Sequence, residues 1–157
     1  MAASDSEFLV GVISDTHGLL RPQAMEALAG SQLVIHAGDI GNSEILGALA
    51  KIARVEAVRG NVDTEAWARA IPETAVVEAE GRSLYVLHDV NELDFDPRAA
   101  GFAVVISGHS HKPASEVRNG VLYFNPGSAG PRRFNLPISV GRLWLGSEGI
   151  RPEIVDL

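Results

Sequence analysis

Short β-branched or apolar runs recur along the chain, each closed by a small or polar cluster. Five stand out, at residues 9–13, 33–35, 55–58, 84–87 and 103–106. Continuous runs of this length suit strands buried on both faces of a sheet. Between the first three lie segments of helical character. Residues 22–28 carry apolar side chains at Ala24, Met25, Ala27 and Leu28, with Pro22 suited to a first helical turn. Ser43 is placed to cap a helix over 44–52, whose Ile45, Leu46, Leu49 and Ile52 form one apolar face. Strand, helix, strand, helix, strand predicts βαβ units and a parallel sheet.

The pattern then changes. Residues 74–79 and 83–88 flank Glu80-Gly81-Arg82, and 115–118 and 121–124 flank Asn119-Gly120, which predicts two hairpins. A helix is expected over about 91–100, with ends blurred by Pro97. Residues 138–145 and 150–155 pair as tail strands, expected to complete a second sheet. The pattern therefore describes a mixed β-sandwich with helices on its outer faces.

Composition narrows the picture. The 157 residues fit one domain spanning 1–157, long enough for a core without staples. There is no cysteine, so disulfides and thiolate metal sites are excluded, in keeping with a cytosolic protein. The first residues lack a basic segment, the apolar run after them is too short for a signal peptide, and no stretch approaches the roughly 20 apolar residues of a membrane span. A formal net charge of −7 argues against broad nucleic-acid binding. It leaves phosphate open as a substrate, because bound divalent cations reverse the local field.

Each apolar run ends in candidate metal ligands. Run one leads to Asp15-Thr16-His17, run two to Gly38-Asp39, run three to Gly60-Asn61, run four to His88, and run five to Gly108-His109-Ser110-His111. Ligands of parallel α/β sheets bind along the carboxyl edge of the strands, so these distant segments are expected to meet there. In Asp15-x-His17 and His109-x-His111, side chains two apart on an extended segment point the same way and can share one site. Imidazole, carboxylate and amide donors without sulfur suit manganese foremost, with iron, zinc, nickel or cobalt also fitting and magnesium less so. Taken singly, each motif is also an ordinary turn or cap; their ordered conjunction carries the reading. His36, inside the second run, reads as structural.

These segments resemble the calcineurin-like metallophosphoesterases, above all their small single-domain bacterial and archaeal phosphodiesterase branch. Asn125-Pro126-Gly127-Ser128 with Pro131-Arg132 extends the match to about residue 132. The resemblance implies an α/β fold, a four-layer α/β/β/α sandwich of two mixed β-sheets flanked by helices. It implies two divalent metal ions, with Asp15, His17 and His111 on one, Asn61, His88 and His109 on the other, and Asp39 bridging. It implies a phosphodiesterase acting on a small phosphate ester, with a metal-bridging hydroxide as nucleophile and ions about 3.5–4 Å apart. Asn61 would orient the ester. Arg132 or Arg133 is a candidate phosphate contact, and Arg21 a similar one. The competing expectation is a binding scaffold on the same fold, as in the retromer subunit that looks like a metallophosphoesterase; seven competent ligand positions argue against it. A nuclease is a third, disfavoured by the acidic balance.

Two departures bear on chemistry. Much of the wider family carries a histidine after Gly-Asn; here Val62 stands there, followed by Asp63. Without that histidine, leaving groups of low pKa are expected to be favoured. Asp63 is the remaining candidate acid, although adjacent cations favour its ionised form; a structural role or a hydrogen bond to a ligand histidine is the stronger expectation. Asp89 follows His88 where the branch commonly has glycine, and is expected either beside the second metal or facing solvent. Trp67 and Trp144 are expected as packing residues, with a homo-oligomer interface as the alternative.

Overall fold

A computed structural model describes residues 7–157. Ten strands form two five-stranded sheets, with strand order β10-β9-β1-β2-β3 in the first and β4-β5-β6-β8-β7 in the second.

The first sheet contains β1 (Phe8–Ile13), β2 (Leu33–His36) and β3 (Arg54–Ala57), which run parallel. The crossover helices are α1 (Pro22–Leu28) and α2 (Ser43–Leu49). Asn42, rather than Ser43, caps α2, its side-chain oxygen accepting from Ile45 N at 3.3 Å. Either residue satisfies the orphan N–H groups of a first turn, and the extended backbone at Asn42 decides between them. The helix also stops at Leu49, short of the expected residue 52.

The second sheet contains β4 (Thr74–Ala79), β5 (Arg82–Leu87), β6 (Phe102–Ile106), β7 (Ala114–Arg118) and β8 (Val121–Asn125). Within it β5, β6 and β8 are parallel, while β4 and β7 are antiparallel to their neighbours. Both expected hairpins form. Their turns at Glu80-Gly81 and Asn119-Gly120 have positive φ at both residues, the geometry whose twist matches the flanking strands.

The tail strands β9 (Ser139–Gly146) and β10 (Gly149–Asp156) join the first sheet, against expectation. β9 pairs antiparallel with β1. Without it β1, buried from Leu9 to Ile13, would present an open hydrogen-bonding edge at the centre of the molecule. The predicted helix over 91–100 is also absent. A 3-10 turn at Val90–Glu92 and a single turn at residues 97–101 stand in its place. Pro97 lacks the N–H a helix needs, and the Asp96 carboxylate takes the N–H of Arg98 instead. The layer outside the second sheet is therefore thin.

Period-two alternation sorts the core. Val10, Val12, Leu33 and Ile35 of the first sheet meet Val77, Leu84, Val86, Val104, Ile106 and Phe124 of the second. Ile13 and Val34 point the other way, against Ala24, Leu28, Ile45 and Leu49 of the helices. Burying a large aliphatic side chain contributes about 1.5–3 kcal/mol, so the sandwich interface fixes the register on which the site depends. Trp67 packs on the helical side, and Trp144 lies between Arg142 and Arg151, each 5.0 Å from its ring centre. Among the described residues no helix is long and apolar enough to cross a membrane.

Candidate metal centre

The carboxyl ends of β1, β2, β3, β5 and β6 converge on one edge of the sandwich. The first two strands continue their pairing as loops: Asp15 N donates to Gly38 O (2.9 Å), His17 N to Asp39 O (2.9 Å) and Gly18 N to Ile40 O (2.8 Å). On the second sheet Gly108 N donates to His88 O at 2.9 Å. Segments nearly 100 residues apart thereby share one rigid rim.

Two groups of ligand atoms lie within 4.8 Å of one another: Asp15, His17 and His111, and Asp39, His88 and His109. The groups touch. Asp15 Oδ1 is 3.8 Å from His17 Nε2, 3.8 Å from His88 Nε2 and 3.4 Å from His111 Nε2. Asp39 Oδ2 is 3.7 Å from His17 Nε2 and 3.2 Å from His88 Nε2, so it stands between the groups.

Each carboxylate is anchored by one oxygen and leaves the other free. Asp15 Oδ2 accepts from Ser14 Oγ (2.7 Å) and His109 N (3.1 Å), whereas Oδ1 has no hydrogen-bond partner. Asp39 Oδ1 accepts from Val62 N at 3.1 Å, leaving Oδ2 toward the histidines. His88 Nδ1 lies 2.7 Å from Ala37 O and donates to it, which presents Nε2 as a lone pair. That Nε2, with His17 Nε2 and His111 Nδ1, is buried without a partner. Buried polar atoms are nearly always satisfied. A cluster of them around two free carboxylate oxygens is a site shaped for cations, and its nitrogen and oxygen donors fit divalent metals.

The backbone supports this reading. Asp15, His17, Asp39, His109 and His111 all have φ between 47° and 69°, the left-handed region. Non-glycine residues there cost of order 1–3 kcal/mol each and cluster at functional sites. Gly38 and Gly60 make room: a Cβ on Gly38 would lie 2.6 Å from His88 Nδ1, and one on Gly60 would collide with the Asp39 carboxylate.

The metal-free electrostatics follow from this packing. Burial alone would lower the His88 pKa, but the Asp39 carboxylate and the Ala37 carbonyl outweigh it and raise it above 6.5. Asp39 is shifted the other way: burial would raise it, while His88 and the Val62 N–H hold it below the usual carboxylate value. Burial lowers His111, with Arg133 and His17 adding to the effect against the pull of Asp15 and Asp39. His36 is fully buried and pushed down to about 3, chiefly by desolvation, next by His88. It bonds with Thr16 Oγ1 (3.0 Å) and accepts from Gly38 N (3.1 Å), so it braces the loops from beneath.

Asn61 is exposed and shares with His88 and His109 the wall of a cleft of about 650 Å³. Asp63 does not reach a histidine. Its carboxylate accepts from the N–H groups of Ile40, Gly41 and Gly60 and ties together the loops bearing Asp39 and Asn61. Asp89 caps the 3-10 turn and lies 3.8 Å from His109 Nε2. Arg132 is turned to Leu136 O within its own loop, and Arg21 to Gly130 O; Arg133 is the arginine felt at His111.

Other braces escaped the sequence reading. Asn125 Nδ2 donates to Gly108 O (2.9 Å), and Ser128 Oγ to Asp15 O (3.2 Å). Thr16 Oγ1 donates to Ile40 O at 2.7 Å. Their signal was present as small polar residues after a strand, but a partner distant in sequence gives no local trace.

Residues 8–147 match the calcineurin-like phosphoesterase superfamily domain. The chain belongs to that superfamily. A probable metallophosphoesterase of Methanothermobacter thermautotrophicus is 33% identical, over 94% of this chain and 91% of its own. The phosphodiesterase YfcE of Escherichia coli is 32% identical, over 83% and 84%. Among solved structures, a novel archaeal phosphodiesterase superposes with a TM-score of 0.76 at 24% identity, covering 94% of this chain and all of that one. Vacuolar protein sorting 29 of Cryptosporidium parvum gives 0.77 at 21%, covering 96% and 98%. At such identities these two structures establish the shared fold. The superfamily is one of metal-dependent phosphoesterases, its relatives named phosphodiesterase and metallophosphoesterase support a phosphoester hydrolase, and the two ligand groups described above could hold metal ions.

Proposed function

We propose that the protein is a dinuclear metal-dependent phosphodiesterase acting in the cytosol on a small diester, with manganese the foremost metal. The observation that carries this is the set of buried, unpartnered ligand atoms on Asp15, His17 and His88, with His111 Nε2 3.4 Å from Asp15 Oδ1, centred on two half-free carboxylates. The relatives named phosphodiesterase support the reaction type. Asp15, His17 and His111 would hold one ion, His88, His109 and Asn61 the other, with Asp39 Oδ2 facing both. Bound there, the cations supply Lewis-acid polarisation of the phosphate and water acidic enough to attack at neutral pH.

The chain's own residues then set the geometry. Asp15 and Asp39 fix two oxygens by anchoring the opposite ones, so little rearrangement accompanies binding. Asn61, at the exposed edge, has an amide available to orient the ester. Val62 is 46% exposed and offers no proton, so the departing oxygen must be stable as an anion or draw its proton from water. Asp63 has its lone pairs committed to backbone N–H groups and is a positioning residue.

The test is hydrolysis of bis(p-nitrophenyl) phosphate by protein stripped with chelator and reconstituted with manganese. Turnover should require metal and fall by at least about 10²-fold in Asp39→Asn, the size of effect expected when charge stabilisation is removed. Tight metal binding with no turnover would favour a scaffold, and cleavage confined to polynucleotides would favour a nuclease.

A further inference from the structure

The cleft beside Asn61 carries an unusual charge for a phosphate-binding enzyme. Glu73, Asp89, Glu92 and Asp94 line it, and its basic side chain, Arg59, is already paired with Glu73 at 3.1 Å. Among the described residues no ion pair engages Glu92 or Asp94, and both are exposed. Away from the cations, a rim of unpaired carboxylates disfavours the anionic parts of a substrate and favours positive ones.

Two further observations point to a ligand. His88 and His109, both members of the second ligand group, form part of the cleft wall beside Asn61. The cleft therefore opens onto the metal centre. Tyr85 supplies an aromatic surface in the same wall, its ring fixed by an edge contact with Phe95 (4.9 Å) and by Phe102 (5.2 Å). An aromatic ring with carboxylates around it is the chemistry that holds alkylated ammonium groups.

We propose that this cleft selects phosphodiesters one of whose alcohols carries a quaternary or alkylated ammonium group. The inference rests on the phosphodiesterase reading: the phosphate occupies the metal centre while the ammonium sits between Tyr85 and the Glu92–Asp94 rim. It also suits Val62. A positive charge near the hydroxyl withdraws electrons and makes that alcohol a better leaving group than a simple alkyl one. The same rim disfavours polyanions, in line with the net charge of −7.

The test is calorimetric binding to the manganese-loaded protein of phosphocholine and of 3,3-dimethylbutyl phosphate, its uncharged carbon isostere. Phosphocholine should bind about tenfold more tightly, the sum of a cation–π contact and two screened charge contacts. In the Glu92→Gln/Asp94→Asn double variant, checked for folding by circular dichroism, the preference should shrink toward unity while the isostere binds as before. Equal binding of the two ligands to the unaltered protein, or a preference that survives the double variant, overturns the proposal. Glycerophosphocholine and phosphatidylcholine vesicles as competitors separate a soluble diester from a lipid headgroup; competition by either upholds it, and by neither refutes it. Hydrolysis of bis(p-nitrophenyl) phosphate without an ammonium preference would sink this inference alone. A preference without any diester hydrolysis would sink the catalytic reading instead.

Discussion

Asp63 offers a sharp test, because bracing and acid catalysis predict opposite losses. Its side chain is 4% exposed and receives three backbone N–H groups, from Ile40, Gly41 and Gly60, at 2.9–3.1 Å. Asp63→Ala orphans all three. Each buried, unsatisfied donor costs about 1–3 kcal/mol, partly relieved where water can enter. A loss of about 3–5 kcal/mol is therefore expected, a large share of the 5–15 kcal/mol typical of a domain. Asp63→Asn keeps one oxygen and turns an NH₂ toward the remaining donors, for a loss of about 2 kcal/mol. Urea unfolding of the chelated proteins reads both; with a slope of about 2 kcal/mol per molar, the alanine midpoint should fall by about 1.5–2.5 M. Metal-saturated Asp63→Asn should retain most of its turnover, since no acid is removed. A general acid would instead give a loss of about 10²–10⁴ and a missing alkaline limb in the pH profile. An asparagine variant as stable as the parent but inactive would refute the bracing argument.

Other expectations follow from the same geometry. Chelation should lower Tm by about 5–10 °C for each ion lost, if each was present at about 100 times its Kd; calorimetric melts with and without manganese check it. His36 is held neutral when folded, with its pKa near 3 against 6.5 when free. The unfolded chain therefore binds the extra proton between those values, and stability present above pH 6.5 is lost as pH falls. The metal-free protein should lose about 2 kcal/mol from this group between pH 7 and 5, a slope that urea melts should find missing from His36→Gln. Gly60→Ala should force apart the Asp39 and Asn61 loops, costing about 1–3 kcal/mol and weakening binding of the second ion in metal titrations. Aryl diesters should turn over faster than alkyl ones, and Val62→His should narrow the gap, by up to about 10²-fold, in paired rate measurements.

The parts of the molecule that were legible in the sequence are those with local signatures. The apolar runs mark β1, β2 and β6 because strands buried on both faces admit little else. Asn119-Gly120 marks its hairpin because few residues accept two positive φ angles in succession. The candidate ligands that the structure gathers into two groups were visible because each follows a strand ending on the same edge. What was not legible depends on distant partners. Nothing in residues 139–156 says that β9 will lie against β1, since its alternation suits either sheet. The turns in place of a helix over 91–100 reflect competition by the Asp96 side chain, a difference of a few tenths of a kcal/mol to about one. The strained φ values of Asp15, Asp39 and His111 run against local preference, and only the assembled rim holds them.

The proposed chemistry depends on two cations sharing this rim. The most direct measurement is anomalous diffraction from crystals of the manganese-reconstituted protein. Two peaks are expected, one ligated by Asp15, His17 and His111, the other by Asn61, His88 and His109, with Asp39 in contact with both. A single peak, or peaks seated away from Asp39, would contradict it.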